Sequence, residues 1–229
     1  MSSGREKRAD GVILNGPWRD TPIVPLMKKT RLPFVLTWQT LQDKDVNFVA
    51  FDNFRSAYRT VEYLINLSHR RIGMIAGKFS VSERALMRWE GYRKCLADHQ
   101  LPFDPHLVLE KGCTFADGKD AMAQMLQIPS PPTAIFCGND ILAIGAIVCA
   151  KEKGMRVPRD LSVVGFDDAE ISAYYDSPLT TMAVPAYEMG QMAAKILIEN
   201  IRGESKPPRQ HILETTLIVR GSTDKKETP

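Results

Sequence analysis

The chain has 229 residues, of which 44% are hydrophobic and 25% charged, which suits a soluble globular protein with one or two hydrophobic cores. Its net charge of +3 comes from 30 basic and 27 acidic residues spread along the sequence, so composition does not indicate a chain that coats nucleic acid. No apolar run approaches the ~18 residues that a membrane-spanning helix needs, and the polar first residues lack the apolar core of a secretory signal.

Short β-rich runs alternate with helical patterns along most of the chain. The predicted strands are 11–14, 34–36, 48–51, 71–76, 107–109, 134–137, 161–166 and 212–219. The predicted helices are 56–67, 82–99, 117–127, 141–153 and 186–202. Strands that alternate with helices of this length are typical of βαβ units with parallel sheets, so we expect an α/β fold.

Two of the predicted helices differ in how their apolar residues are distributed. Helix 186–202 carries a single apolar stripe at i, i+3, i+4 spacing and is followed by Gly203, which ends it. The segment 141–150 is apolar nearly all round, which predicts burial in the core or against another subunit.

Pairs of polar residues follow two of the predicted strands. Asn139 and Asp140 come after the strand 134–137, and Asp167 and Asp168 come after the strand 161–166. Ligands of parallel α/β sheets bind beyond the carboxyl ends of the strands. Asn and Asp are also favoured N-caps, a role that contributes ~1 kcal/mol. We therefore expect one residue of each pair to start the next element and the other, Asn139 or Asp167, to face a ligand.

A basic helix follows the strand 71–76. Arg84 and Arg88 are four residues apart and lie on one face of the helix 82–99. Arg84 fits a solvated basic face. Arg88 shares its turn with Trp89 and Gly91, where close packing is expected, and its guanidinium could present a planar set of donors to hydroxyls or a carboxylate.

A ligand that needs carboxylate, amide and guanidinium groups together is a sugar or another small polyol, because each hydroxyl both donates and accepts. Trp38 and Phe115 could cover the apolar faces of such a ligand, although a single aromatic residue is more often part of a core. Nucleophile-elbow, phosphate-loop, dinucleotide and zinc-protease motifs are missing from the sequence. We therefore predict a binding protein rather than an enzyme, with no cofactor.

The cysteines and histidines support neither a disulfide framework nor a metal site. None of the four cysteines forms a C-x-x-C pair, and the four histidines lack the spacing of metal ligands. Reduced and mostly buried thiols favour a cytoplasmic protein.

Five motifs, in order and over about residues 10–223, resemble the LacI/GalR family of transcription regulators. They are "FDNFRSAYRTVEYLINLSHRRIGMIAG" (51–77), "RWEGYRKCL" (88–96), "GNDILAIGA" (138–146), "VPRDLSVVGFDD" (157–168) and "SPLTTM" (177–182). The resemblance implies a periplasmic-binding-protein-like fold of two Rossmann-like α/β subdomains with an effector in the cleft. It places the N-subdomain at 1–68 plus 183–204 and the C-subdomain at 69–182 plus 205–224. The last residues, 225–229, are polar and are predicted to form a disordered tail.

Carried over residue by residue, the resemblance implies effector contacts at Asp52, Arg88, Asn139 and Asp167. Phe115 is a further expected contact, although its segment is one residue shorter than the family pattern. Trp38 stands where relatives often carry Asp, which implies stacking rather than an accepted hydrogen bond.

The front of the chain departs from the family, because the stretch 5–14 resembles the family's third core strand. The resemblance thus implies that the helix-turn-helix, the hinge helix and two βα units are absent, on the order of 50 residues for the two units. It also implies a partial N-subdomain, a homodimer, and contact with operator DNA only through the missing N-terminal domain. Two alternatives stay open: a solute-binding protein of a sugar transport system, and an enzyme that uses Asp167 or Asp140 as a base.

Overall fold

The computed structural model describes residues 9–16, 22–204 and 207–226. The first residues of the stretch 5–14 and the last three of the tail 225–229 lie outside the described residues. The structure divides the chain into two compact units, Met1–Asp52 with Pro185–Leu213, and Asn53–Val184 with Glu214–Pro229. We call them unit 1 and unit 2.

Unit 1 contains a sheet whose strands all run parallel, in the order β1-β2-β3-β9. Its elements are β1 (Val12–Asn15), α1 (Ile23–Thr30), β2 (Phe34–Thr37), β3 (Phe48–Phe51), α7 (Ala186–Ile201) and β9 (Gln210–Leu213). Leu36, Phe48 and Ala50 form a core on one side of this sheet together with Val46. Helix α7 packs against β1, β2 and β3.

Unit 2 contains a six-stranded sheet in the order β10-β8-β7-β6-β4-β5, in which only β10 is antiparallel to its neighbour. Its strands are β4 (Ile72–Gly77), β5 (Val108–Lys111), β6 (Ala134–Cys137), β7 (Ser162–Asp167), β8 (Thr180–Ala183) and β10 (Thr216–Ile218). Its helices are α2 (Asn53–Asn66), α3 (Glu83–Asp98), α4 (Phe115–Met125), α5 (Asp140–Glu152) and α6 (Ile171–Tyr174).

Glycines let two pairs of helices in unit 2 approach closely. A Cβ on Gly91 of α3 would lie 2.3 Å from the carbonyl oxygen of Phe54 in α2, which is backbone and cannot rotate away. A Cβ on Gly145 of α5 would lie at the same 2.3 Å from the carbonyl oxygen of Phe115 in α4. The helices therefore pack backbone to backbone, which fixes α3 against α2 and α5 against α4.

The expected α/β architecture with parallel strands is confirmed. The five predicted helices correspond to α2, α3, α4, α5 and α7. Nine of the thirteen residues of α5 are buried, which agrees with the apolar pattern of 141–150.

Some details of the prediction were wrong. The predicted strand 212–219 is two strands, β9 and β10, which belong to different sheets because the chain passes from unit 1 to unit 2 between them. The sequence pattern also missed α1, α6 and β8.

The units divide at other positions than the resemblance implied. Residues 53–68 belong to unit 2 because α2 packs on α3, and residues 207–213 belong to unit 1 because β9 pairs with β3. At the far end, the predicted disorder began too early, since the Lys226 amide donates to the Leu67 carbonyl at 2.8 Å. Within the described residues, no helix is both long and apolar enough to cross a membrane.

Candidate functional site

Arg88 is the centre of a polar cluster in unit 2, at the carboxyl ends of the neighbouring strands β6 and β7. It lies on α3, whose first turn is capped by Ser82, the side chain of which accepts a hydrogen bond from the Ala85 amide at 3.3 Å. Although it is an arginine, Arg88 is only 6% exposed. Such burial requires that its donors be satisfied.

Three groups surround the Arg88 guanidinium. Its Nε donates to Asn53 Oδ1 at 2.9 Å, and its Nη1 donates to the Gly138 carbonyl at 2.5 Å. The guanidinium carbon lies 3.6 Å from the centroid of the Phe166 ring, a cation–π arrangement. Burial lowers the Arg88 pKa to about 10, with Asp167 acting in the opposite direction, so the side chain stays charged near neutral pH.

Asp167 faces the remaining side of this guanidinium. Its Oδ1 lies 3.7 Å from Arg88 Nη2, and its side chain is 36% exposed. Burial raises the pKa of Asp167 to about 6, and Arg88 opposes that rise. A carboxylate that is held beside a guanidinium and still reaches solvent can accept hydrogen bonds from a ligand's hydroxyls while the guanidinium donates to them.

Arg84 adds a second cation near Asp167. Burial lowers the Arg84 pKa, and the Asp167 charge opposes this effect. The expectation of a fully solvated basic face at Arg84 is therefore wrong, because the residue is partly buried and interacts with the site.

Of the two polar residues after β6, the one expected to face a ligand is the one that starts the next helix. Asn139 is the N-cap of α5, and its Oδ1 accepts a hydrogen bond from the Leu142 amide at 2.8 Å. Asp140 is buried below it at 1% exposure. Asn139 nevertheless adjoins Gly138, whose carbonyl binds Arg88.

The polar residues at the end of β7, Asp167 and Asp168, start no helix by side-chain capping. Asp167 and Asp168 have φ angles of 111° and 58°, and Asp168 Oδ1 accepts a hydrogen bond from Arg220 Nη2 at 2.7 Å. At this strand end, Asp167 is the residue whose side chain lies beside Arg88, and its contact with an effector stays a prediction.

Phe115 is the first residue of α4, between the two residues of a capping box, Thr114 and Asp117, and its side chain is exposed. Among the described residues, no hydrogen bond or ring contact joins Phe115 to Arg88 or Asp167. The structure thus brings together Arg88, Asp167 and the backbone beside Asn139, and leaves Phe115 outside this cluster.

The other two candidate residues belong to unit 1 and follow adjacent parallel strands. Trp38 follows β2 with a φ of 74°, its amide lies 3.3 Å from Met189 Sδ, and its ring meets the buried Phe51 edge-on at 5.9 Å. Asp52 follows β3 and is exposed. Both therefore lie at the carboxyl edge of the unit 1 sheet.

Asn53 and Phe166 of the Arg88 cluster were not predicted from the sequence, and neither was the buried position of Asp140. Asn53 reads as an ordinary helix start, and Phe166 as one residue in a buried strand, so neither carried a signal. Asp140 carried one, because an Asp directly after a strand is a candidate for a buried acceptor as well as for a cap. No group of three or more His, Cys, Asp or Glu side chains that could hold a metal ion occurs in the described part of the chain.

The family described as "Periplasmic binding protein-like domain" matches residues 61–223. The HTH-type transcriptional repressor CytR of Escherichia coli (strain K12) is 35% identical over 219 residues, which are 95% of this chain and 63% of that protein. The chain thus spans less than two thirds of the length of this relative.

Solved structures of similar fold include regulators with bound carbohydrates. The transcriptional regulator CelR–cellobiose complex has a TM-score of 0.87 and 31% identity, covering 95% of this chain and 67% of that one. A LacI family transcriptional regulator from Enterococcus faecium with bound ribose has a TM-score of 0.85 and 28% identity, covering 95% of this chain and 81% of that one.

Proposed function

Because the chain belongs to the LacI/GalR family of regulators and carries its periplasmic-binding-protein-like core, we propose that it binds a small carbohydrate or related polyol as an effector. The observation that carries this proposal is the pairing of Arg88 with Asp167 at 3.7 Å, at the carboxyl ends of parallel strands. A buried donor and a partly exposed acceptor side by side match the paired donors and acceptors of adjacent hydroxyls. Cellobiose and ribose, bound in two structurally similar regulators, fit the same class.

The effector contacts that we propose are Arg88, Asp167 and Asn139 in unit 2, and Asp52 and Trp38 in unit 1. Asn139 contributes through its amide nitrogen, since its oxygen accepts the helix cap. Trp38 contributes a ring face for stacking. Phe115 is a weaker proposal, because the structure leaves it outside the Arg88 cluster.

In the full-length protein, effector binding changes the affinity for operator DNA, as a coupling free energy of ~1–3 kcal/mol. The protein acts in the cytoplasm, where it meets DNA, and it does not catalyse a reaction. The alternative of a transport solute-binding protein is less well supported, because the relatives described above are regulators.

A homodimer is the proposed assembly, and unit 2 offers an apolar surface for it. Ile141 at the start of α5 and Ile171 and Tyr174 of α6 are large exposed hydrophobic residues. Size-exclusion chromatography with light scattering should give twice the monomer mass for the wild type and the monomer mass for Ile171→Asp. A monomeric wild type at the concentrations at which effector binds would refute the dimer.

The effector proposal is tested by a thermal-shift screen of mono- and disaccharides, including ribose and cellobiose, with sugar phosphates and nucleobases as other classes. Any compound that raises the melting temperature is then titrated by calorimetry. Arg88→Met and Asp167→Asn should weaken binding by roughly 10- to 100-fold, since hydrogen bonds to charged groups contribute ~1.5–3 kcal/mol.

Arg156→Met is the matched control, because Arg156 pairs with Asp160 on the surface of the same unit. It should bind the same compound with unchanged affinity. The proposal fails if no carbohydrate binds, or if Arg88→Met and Asp167→Asn bind it as tightly as the wild type.

A further inference from the structure

Asp140 is a buried carboxylate whose hydrogen bonds all go to residues around the turn after β7. Its Oδ1 accepts from Thr181 Oγ1 at 2.6 Å, and its Oδ2 accepts from the Ala169 amide at 2.7 Å and from Ser172 Oγ at 2.8 Å. A buried carboxylate is unfavourable unless its oxygens are satisfied, and these three donors satisfy them. The cap of α5 is made by Asn139, so Asp140 is not needed for that purpose.

The donors that bind Asp140 come from both sides of Asp167. Ala169 follows it by two residues in the chain, and Thr181 lies in β8, the strand next to β7. The Thr181 hydroxyl, which donates to Asp140, also accepts from the Asp168 amide at 3.3 Å. The Ala169 amide thus donates directly to the Asp140 carboxylate, and the Asp168 amide is linked to it through the Thr181 hydroxyl.

The turn needs such restraint because of its backbone conformation. Asp167 and Asp168 have φ angles of 111° and 58°, a backbone region that residues other than Gly rarely adopt. Space for the Asp140 carboxylate is kept by Gly165, where a Cβ would lie 2.1 Å from Asp140 Oδ1. A larger residue at position 165 would displace the carboxylate from the turn.

We propose that Asp140 is a positioning residue of the effector site, which holds the 167–169 turn in the conformation that directs the Asp167 carboxylate to Arg88. The ligand-related part of this inference rests on the proposed function. The structural part rests only on contacts within unit 2 and is measured without a ligand.

Charged groups around Asp167 shift the pKa of its carboxyl. Asp140, from α5, raises the pKa of Asp167, whereas Arg84 and Arg88, from α3, lower it. Cys113 also lies near this group: burial raises the pKa of its thiol, and the Asp167 charge adds to that rise. Loss of the Asp140 charge should therefore lower the Asp167 pKa.

Asp140→Asn is the first variant to measure. Hydrogen exchange followed by NMR should show at least a tenfold faster exchange of the Ala169 amide, with unchanged exchange for Val163 and Val164 in β7. A titration of the Asp167 carboxyl carbon signal should give a lower pKa than in the wild type. Asp160→Asn, which removes the same charge at a surface position, should change neither reading.

Two results would overturn the proposal. One is an Asp140→Asn protein whose Ala169 exchange and Asp167 titration both match the wild type. The other is equal loss of protection along all of β7, which would show that Asp140 stabilises the fold as a whole and not the 167–169 turn.

Thr181→Val provides an independent variant if Asp140→Asn does not fold. It removes only the hydroxyl between Asp140 and the Asp168 amide, so the Asp168 amide should exchange faster while β7 stays protected. Unchanged exchange at Asp168 would contradict the proposal. Because these readings need no carbohydrate, a failure of carbohydrate binding would overturn the proposed function and leave the positioning role standing.

Discussion

Asp167→Asn should make this protein more stable above about pH 6, although it removes a proposed effector contact. The folded protein raises the pKa of this carboxyl from 3.8 to about 6 by burial. A group with a raised folded pKa is easier to protonate in the folded state, so its contribution to stability is full below the unfolded pKa and is lost as pH rises through the folded pKa. Asn stays neutral at every pH and escapes that loss. It also tolerates a positive φ better than most residues.

The size of this effect follows from the pKa difference. A difference of about two pH units at ~1.36 kcal/mol each gives an upper limit of ~3 kcal/mol. Because the Asp167 side chain is 36% exposed, solvent screens part of this cost, and we expect a gain of ~1–2 kcal/mol. The difference in stability between variant and wild type should grow from about pH 4 to about pH 6 and stay constant above that range.

Urea denaturation followed by circular dichroism at a series of pH values measures this difference. Asp160→Asn is a control of opposite sign, because hydrogen bonds from Arg156 lower the Asp160 pKa. That variant should be less stable than the wild type near neutral pH and approach it in acid. The reasoning would be refuted if the Asp167→Asn difference were the same at pH ~4 and pH ~7, or if the variant were the less stable protein near neutral pH.

Three further predictions concern packing and the buried histidine. Gly91→Ala should reduce the free energy of unfolding by ~1–3 kcal/mol, because its Cβ would lie 2.3 Å from the Phe54 oxygen; urea denaturation that matches the wild type would contradict this close approach. Gly190→Ala, where nothing lies within 4 Å of the added Cβ, should instead increase it by ~0.5–1 kcal/mol, and a loss of stability would be the contrary result. Burial lowers the pKa of His69, whose Nε2 contacts the Asp224 carbonyl oxygen at 3.1 Å. The stability that neutral His69 contributes is present above its unfolded pKa and is lost as pH falls through the folded pKa. The C-terminal segment should therefore become more susceptible to limited proteolysis in acid, and His69→Gln should weaken that pH dependence.

Periodic patterns in the sequence predicted the helices and the parallel strands well. In α3, α5 and α7 the spacing of apolar residues follows from which faces of the helix are buried. The order of strands in each sheet and the place where the chain changes unit could not be predicted this way. Glu214 and Thr215, which separate β9 from β10, look like the middle of one β-rich run. The change of sheet depends on pairing partners that are distant in sequence.

The candidate site was predictable in part. Arg88 and Asp167 follow from helix spacing and from the position at a strand end, both of which are local signals. The division of roles between Asn139 and Asp140 was not, since either residue can cap a helix, and the donors that bind Asp140 belong to residues 29 or more positions later. A local pattern identifies which positions are polar, whereas three-dimensional packing decides which of them stays at the ligand side.

The Arg88–Asp167 pair combines features that each destabilise the folded chain: a buried guanidinium, a carboxyl with a raised pKa and a backbone at positive φ. The free-energy costs of burying these two side chains are linked, because the Arg88 charge keeps the Asp167 pKa from rising further. Removing the guanidinium alone should leave a carboxylate with a higher pKa, so Arg88→Met should be more destabilising in the wild-type background than in Asp167→Asn. Near neutral pH, the destabilisation by Arg88→Met in the wild type should exceed that in Asp167→Asn by more than ~0.5 kcal/mol, the margin within which the effects of independent sites add. It should shrink in acid, where the carboxyl is protonated in both backgrounds. Strict additivity at every pH would mean that the two side chains, although 3.7 Å apart, do not act as a pair.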